Sequence, residues 1–342
     1  MHSKEIHQEQ KKSLKKWGLV LAIVCVLSGC GKVQPAEDAQ VDEFDNLISV
    51  GFTQIGSESL WRDANTKSIQ NTLTKENGYF LLFNNARQKQ ENQIKAIRSY
   101  ISQRVDYILF SPVTQDGWET VLMEAKEAEI PVILVDRQVS SEYEDLYTAW
   151  VGTSSEEEGE KAGRWLEDYL SEQGKDESEV KIAILTGTIG SSAQIGRSGG
   201  FQKIASKHSN WKIVANECGE FTTARGKEVM EEILIEHPDI DVLVSQNDDM
   251  TLGAIEAMEN AGVSMGTDGV AIISFDAARE ALELVKQGTI LVDVECNALQ
   301  GPYIDELIQK LQAGEEVPKM NLVDEEVFTS ENVSEAIENR LY

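Results

Sequence analysis

Residues 51–65, GFTQIGSESLWRDAN, place Glu58, Ser59, Trp61 and Arg62 directly behind the apolar run Leu47-Ile48-Ser49-Val50. A carboxylate and a guanidinium four positions apart can grip vicinal hydroxyls in bidentate hydrogen bonds, while the indole between them covers an apolar C–H face. Related groups follow other apolar runs. Asp136 and Arg137 come after PVILV, and Arg197 after VKIAIL and the loop TGTIGSSAQIG. Phe221 ends ECGEF after WKIVA, Asn247 follows DVLVS, Asp276 follows AIISF and Glu295 follows ILVDV. Taken singly, each has a plain structural explanation: Trp61 and Phe221 as core, Arg62 and Arg197 as solvated helix residues, Asp136-Arg137 as a turn. Asn247 would then be a helix cap and Glu295 a hinge ion-pair member. Independent accidents are not expected to favour the same strand ends. The set has the chemistry of a carbohydrate site.

The elements that must position these groups alternate along the chain. Strand candidates are LISVGF, YFLLF, YILF, PVILVD, YTAWVG, VKIAIL, WKIVA, DVLVS, VAIISFD and ILVDVE. Between them, Ile94, Ile97, Ile101 and Val105 recur at helical intervals, as do Val121, Leu122, Ala125 and Ala128. Asp248 and Asp249 suit the start of the helix carrying Leu252, Ile255 and Met258. Continuous apolar strands alternating with amphipathic helices predict parallel sheets covered on both faces. So many strands exceed one ordinary sheet, so the expected class is α/β, with two Rossmann-like lobes. Ligands of such sheets bind beyond the carboxyl ends of the strands, where the polar groups fall.

Ahead of the fold, Lys11, Lys12, Lys15 and Lys16 precede LVLAIVCVLSGC, an apolar run of signal-peptide length. Its end, Leu27-Ser28-Gly29-Cys30, resembles a bacterial lipobox. The expectation is a lipoprotein signal peptide over 1–29, lipidation at Cys30 and an acidic tether over 30–45. Losing residues 1–29 removes five Lys and two Glu, leaving 26 basic and 57 acidic groups and a net charge near −31. That charge argues against nucleic acid and anionic lipid as partners, so membrane attachment rests on the lipid. His208 and His237 are isolated, and neither a metal nor another cofactor is expected. Cys218 and Cys296 are the thiols left, and whether they pair stays open.

Enzyme readings are weak. Gly196-Arg197-Ser198-Gly199-Gly200 formally fits a nucleophile elbow, but Ser198 lies well into a helix instead of directly behind its strand. TGTIGSSAQIG is neither a dinucleotide fingerprint nor a phosphate loop.

Several stretches carry a family resemblance: VGFTQIGSESLWR, RQKQENQIKAIRSYISQRVDYILFSPV, KEAEIPVILVDR, SQNDDMTLGAIEA and ISFD. From about Leu47 onward the chain resembles the pentose/hexose periplasmic binding proteins that serve ABC importers, nearest their galactofuranose-binding members. The resemblance implies a type I fold with two lobes joined by a three-strand hinge. Its crossovers would lie near 149–152, 293–297 and 317–321. The lobes would comprise 46–150 plus 296–318, and 151–295 plus 319–342. It implies sugar contacts from Glu58, Ser59, Leu60, Trp61, Arg62, Asp136, Arg137, Arg197, Asn247 and Asp276, with Phe221 and Glu295 added from the wider family. It further implies a monomer with no enzymatic activity that passes a monosaccharide to the transmembrane subunits of an ABC permease. Presentation of the sugar to a membrane receptor kinase is the alternative. Two features depart from the galactofuranose-binding pattern: Asn84-Asn85 replace an acidic group, and the second lobe lacks that pattern's cysteines. Arg62, Arg137 and Arg197 are offset by Glu58, Asp136 and Asp276, so a neutral sugar is expected.

Overall fold

The computed structural model describes residues 46–342. The expected signal peptide over 1–29, tether over 30–45 and lipidation at Cys30 lie outside them. The first lobe begins β1 (Ile48–Gln54), α1 (Leu60–Thr72), β2 (Tyr79–Asn85), α2 (Gln90–Gln103), β3 (Tyr107–Phe110), α3 (Glu119–Glu127), β4 (Val132–Val135) and β5 (Ala149–Gly152). The second runs α4 (Ser155–Glu172), β6 (Val180–Thr186), α5 (Ser192–Ala205), β7 (Trp211–Cys218), α6 (Thr223–Glu236), β8 (Val242–Ser245) and α7 (Asp248–Ala261). It continues through β9 (Ala271–Asp276), α8 (Arg279–Gln287) and β10 (Val292–Glu295). The chain then supplies α9 (Gly301–Gln312), β11 (Met320–Leu322), β12 (Val327–Phe328) and α10 (Val333–Asn339).

The strands form two six-stranded sheets, ordered β11-β5-β4-β3-β1-β2 and β12-β10-β9-β8-β6-β7. Pairings are parallel except β10 with β12. Strand order reverses at β1/β3 in one sheet and at β6/β8 in the other, the switch points at which open α/β sheets bind ligands. The ten apolar runs all form strands; eight are central and bury both faces, while β2 and β7 close one edge of each sheet and stay partly exposed. In β3 and β4 every residue is buried. Separate apolar cores cover the two faces of each sheet, around Phe52 and Phe110 in the first lobe and Leu243 and Phe275 in the second. Each such side chain contributes roughly 1.5–3 kcal/mol by leaving water.

Three expectations are corrected. β11 and β12 were not foreseen: they are short, and Met320 and Leu322 are exposed. Because β11 pairs with β5, residues 320–322 belong to the first sheet and the third crossover lies between Leu322 and Val327, beyond the expected 318/319 boundary. Ala128 is exposed, because α3 ends at Glu127 and Ala128 only caps it.

Close packing of α4 on α5 matters for the site. A Cβ on Gly159 would lie 2.3 Å from Arg197 O, and one on Gly200 2.0 Å from Glu156 O. Any larger residue would push the two backbones apart and separate Glu158 from Arg197.

Candidate functional site

The β1–α1 connection builds the first wall. Ser59 caps α1, its Oγ accepting from Arg62 N–H at 3.0 Å, which fixes Trp61 and Arg62 in the first helical turn. Arg62 is 4% exposed. Its Nε donates to Glu58 Oε1 at 3.0 Å and its Nη1 meets Asp136 Oδ2 at 2.8 Å. Burial works against the Arg62 charge, but Asp136 and Glu58 outweigh it and raise the pKa. Trp61 lies beneath that guanidinium, 4.6 Å from it, and its Nε1 donates to Cys296 O in the second crossover.

Asp136 follows β4 with φ 60°, a left-handed conformation an Asp tolerates. Its backbone is pinned on both sides: Asp136 N–H donates to Val151 O and Trp150 Nε1 donates to Asp136 O, each at 2.8 Å. Arg137, 3% exposed, donates from Nη1 to Val113 O at 3.0 Å and lies over Phe221 of the second lobe at 5.2 Å. Burial, aided by the neighbouring Arg62 charge, lowers its pKa to about 10.

The second wall centres on Arg197. Nε donates to Glu158 Oε2 at 2.7 Å, Nη2 to Asp276 Oδ1 at 3.1 Å and Nη1 to Gln246 O. Burial opposes this charge too, yet Glu158 and Asp276 hold its pKa well above the ordinary value. Burial pushes the Asp276 carboxyl well up despite Arg197. Asn247 caps α7, accepting from Met250 N–H at 3.0 Å, and its Nδ2 donates to Phe221 O at 3.4 Å.

Glu58, Ser59, Trp61, Arg62, Asp136 and Arg137 from one lobe, with Arg197, Phe221, Asn247 and Asp276 from the other, line one hollow of about 20 Å³. Ala193 and Cys296 complete it. Three guanidiniums face three carboxylates there, so the hollow has no built-in preference for an anion. Two of the expected residues are elsewhere. Leu60 is 45% exposed and lines an outer groove, since successive helix positions turn by about 100° and carry it away from Trp61. Its N–H instead reaches across to Asp249, 3.1 Å from Oδ2. The Glu295 carboxylate turns to the C-terminal tail, where Arg340 donates to Oε1 at 2.5 Å and Glu326 N–H to Oε2 at 2.8 Å.

Glu158 was missed. It is 0% exposed in the middle of an acidic helical run, and only the glycine beside it signals that this acid faces inward. Both Cys218 and Cys296 are free thiols. Among the described residues no group of three His, Cys, Asp or Glu is placed to hold a metal ion.

A family model described as a periplasmic binding protein domain matches residues 50–315. The chain belongs to the periplasmic binding protein family. The galactofuranose-binding protein YtfQ of Escherichia coli (strain K12) is 36% identical, the match covering 86% of this chain and 91% of that protein. A crystal structure from Mycobacterium smegmatis in complex with β-D-fucofuranose is 44% identical with a TM-score of 0.81, covering 85% of this chain and 94% of that one. The periplasmic binding protein of the arabinose ABC transporter from Shewanella sp. ANA-3, bound to α- and β-L-arabinofuranose, is 39% identical with a TM-score of 0.79, covering 86% and 95%. This periplasmic binding protein thus has the two-lobed type I fold of its relatives, which are binding proteins and not enzymes.

Proposed function

We propose that the protein captures one neutral monosaccharide between its lobes and delivers it to the transmembrane subunits of an ABC permease. The sugar would be a furanose form, galactofuranose-like or of another pentose or hexose. A lipid on Cys30 would hold the protein at the outer face of the cytoplasmic membrane as a monomer. The observation that carries the reading is the convergence of Trp61, Phe221, three guanidiniums and three carboxylates, drawn from both lobes, on one hollow. The paired charges suit neutral hydroxyls, the two aromatic faces suit ring C–H groups, and the compared relatives bind furanoses.

The 20 Å³ hollow is far below the ~300–1,000 Å³ of ligand pockets, so a sugar enters through separation of the lobes. The contacts to be broken are few. Leu60 N–H with Asp249, Gln138 N–H with Ser192 Oγ at 2.8 Å and Gln115 N–H with Gly190 O at 3.0 Å clasp the cleft, alongside Arg137 over Phe221. At about 1 kcal/mol each, opening is within thermal reach, and sugar bound to both walls then favours closure onto the ring, with the walls held farther apart than in the 20 Å³ hollow.

A thermal-shift screen of the leader-free protein tests this. Neutral aldoses that populate furanose forms are expected to raise the melting temperature in a saturable way, because ligand at 1,000 times Kd adds about 4 kcal/mol. Stabilisation by uronic acids alone, or by no sugar, would overturn the reading.

A further inference from the structure

At the end of β10 the Glu295 carboxylate turns from the hollow to Arg340, and the residues around Arg340 form a unit. α10 buries Val333 and Ile337 in the second lobe's core. Arg279, at the start of α8, holds the chain that follows. Its Nη2 donates to Ile337 O at 2.7 Å and to Arg340 O at 3.2 Å, and its N–H donates to Tyr342 O at 2.8 Å. Tyr342 is therefore carried by the second lobe. Its ring packs on the first, against Trp61 and Ala64 of α1, together with Cys296 and Ala298 of the second crossover.

A tyrosine hydroxyl has one proton to donate and two lone pairs that accept, and here all are used. It donates to Asp276 O at 3.4 Å, and it accepts from Arg340 Nη1 at 2.8 Å and from Ala298 N–H at 3.4 Å. The Arg340 guanidinium also lies over the Tyr342 ring at 5.1 Å while its Nη1 answers Glu295. Tyr342 lines the outer groove and not the hollow, so it reaches Trp61 in one wall and Asp276 in the other from behind. Asp276 needs such support. With Ala277 it has a positive φ, 106° and 58°, which non-glycine residues keep only where their surroundings hold them. Tyr342 holds Asp276 O, Asp293 holds Ala277 N–H at 3.1 Å, and Asp248 holds Ala278 N–H at 2.7 Å. The first of these ties also reaches the opposite lobe, through Trp61.

We infer that Tyr342 is a positioning residue of the sugar site, a staple that fastens Trp61 to Asp276 when the lobes close on the ligand. Glu295, through Arg340, holds the staple in place. Tyr342 touches no sugar. Its backbone travels with the second lobe and its ring rests on the first, so the full set of contacts belongs to the closed form. Interactions made only after encounter slow the departure of a ligand and leave its capture unchanged. The inference rests on the sugar-binding reading above and assigns the control of how long a bound sugar is kept.

Calorimetric titration of the full chain with D-galactose, L-arabinose and D-fucose selects the tightest of the three, and stopped-flow fluorescence with that sugar tests the staple. Tyr342→Ala is expected to raise the dissociation rate at least about tenfold, with the association rate within about threefold of the native value. Tyr342→Phe returns the ring that backs Trp61 and should recover most of that loss. Arg340→Gln frees Tyr342 from Glu295 and should act in the same direction as Tyr342→Ala. Leu341→Ser, between them but 80% exposed, should change neither rate. A lower melting temperature of Tyr342→Ala and Arg340→Gln with both rates unchanged would make Tyr342 a purely structural residue and overturn the staple alone. An equal effect from Leu341→Ser, or no recovery in Tyr342→Phe, would overturn it too. Failure of all three sugars to bind the native chain would instead remove the sugar-binding reading, and the staple with it.

Discussion

Replacing Arg197 with Met tests whether the second wall is held by buried charge. In the native fold this guanidinium answers Glu158, which is 0% exposed, and Asp276, which is 5% exposed. Removing one partner of a buried ion pair costs about 3–5 kcal/mol, because the other charge stays desolvated. The lower end applies here. Asp276 already has a raised pKa and takes up a proton in response, while Glu158 keeps the Thr153 hydroxyl at 2.6 Å. A loss of about 3 kcal/mol corresponds to a fall in Tm of roughly 6–12 °C for a domain of this size class. Scanning calorimetry of Arg197→Met, Glu158→Gln and the double variant separates the terms. The double variant should recover more than about 1 kcal/mol relative to Arg197→Met, since its remaining amide needs no counter-charge. In sugar titrations, Arg197→Met should lose roughly 10–150-fold in affinity, the value of a hydrogen bond to a charged group. A Tm change under about 2 °C, with no coupling to Glu158, would refute the placement of these charges.

Other expected outcomes follow from single contacts. Burial raises the carboxyl pKa of Asp293, which adjoins Asp248, so the folded state holds a proton that the unfolded chain releases above the usual Asp range. More protons bound when folded means stability falls as pH rises through that window, and Asp293→Asn should flatten the profile and be the more stable form at pH 8 in denaturant titrations. Asp249 is raised to about 6, chiefly by burial, while the Leu60 N–H that reaches it from the opposite lobe pulls it down by favouring the carboxylate. That clasp is strongest with Asp249 charged, so Asp249→Asn should weaken the cross-lobe bond and lower sugar affinity by up to roughly tenfold at pH 7 in calorimetry, the value of a single hydrogen bond. Trp61→Phe removes the bond to Cys296 O but keeps a ring, so affinity should fall about tenfold or less, whereas Trp61→Ala should fall further.

The fold was legible because central parallel strands have to be apolar throughout, which marks eight of the ten runs, while the edge strands β2 and β7 are long and carry enough apolar residues to read as strands. β11 and β12 carry no such signature: they are edge strands of three and two residues, defined by pairing with β5 and β10 and not by burial. The site was legible for a related reason. Parallel topology sends every strand's carboxyl end to the same edge, so Asp136, Asn247 and Asp276 had to lie there. What the pattern cannot resolve is side-chain direction. Leu60 shares a motif with Trp61 but not its helix face, and Glu295 ends a strand yet is claimed by Arg340, a residue 45 positions away in sequence. Glu158 is hidden in the opposite way, as one acid among several on α4 that turns inward because two glycine-lined helices nearly touch.

The most direct test is a crystal structure of the protein grown with whichever neutral sugar stabilises it most. One sugar ring should lie between Trp61 and Phe221, within hydrogen-bond reach of Arg62, Asp136 or Arg137 on one side and of Arg197, Asn247 or Asp276 on the other. A sugar held by one lobe alone, or bound outside this cleft, would contradict the account.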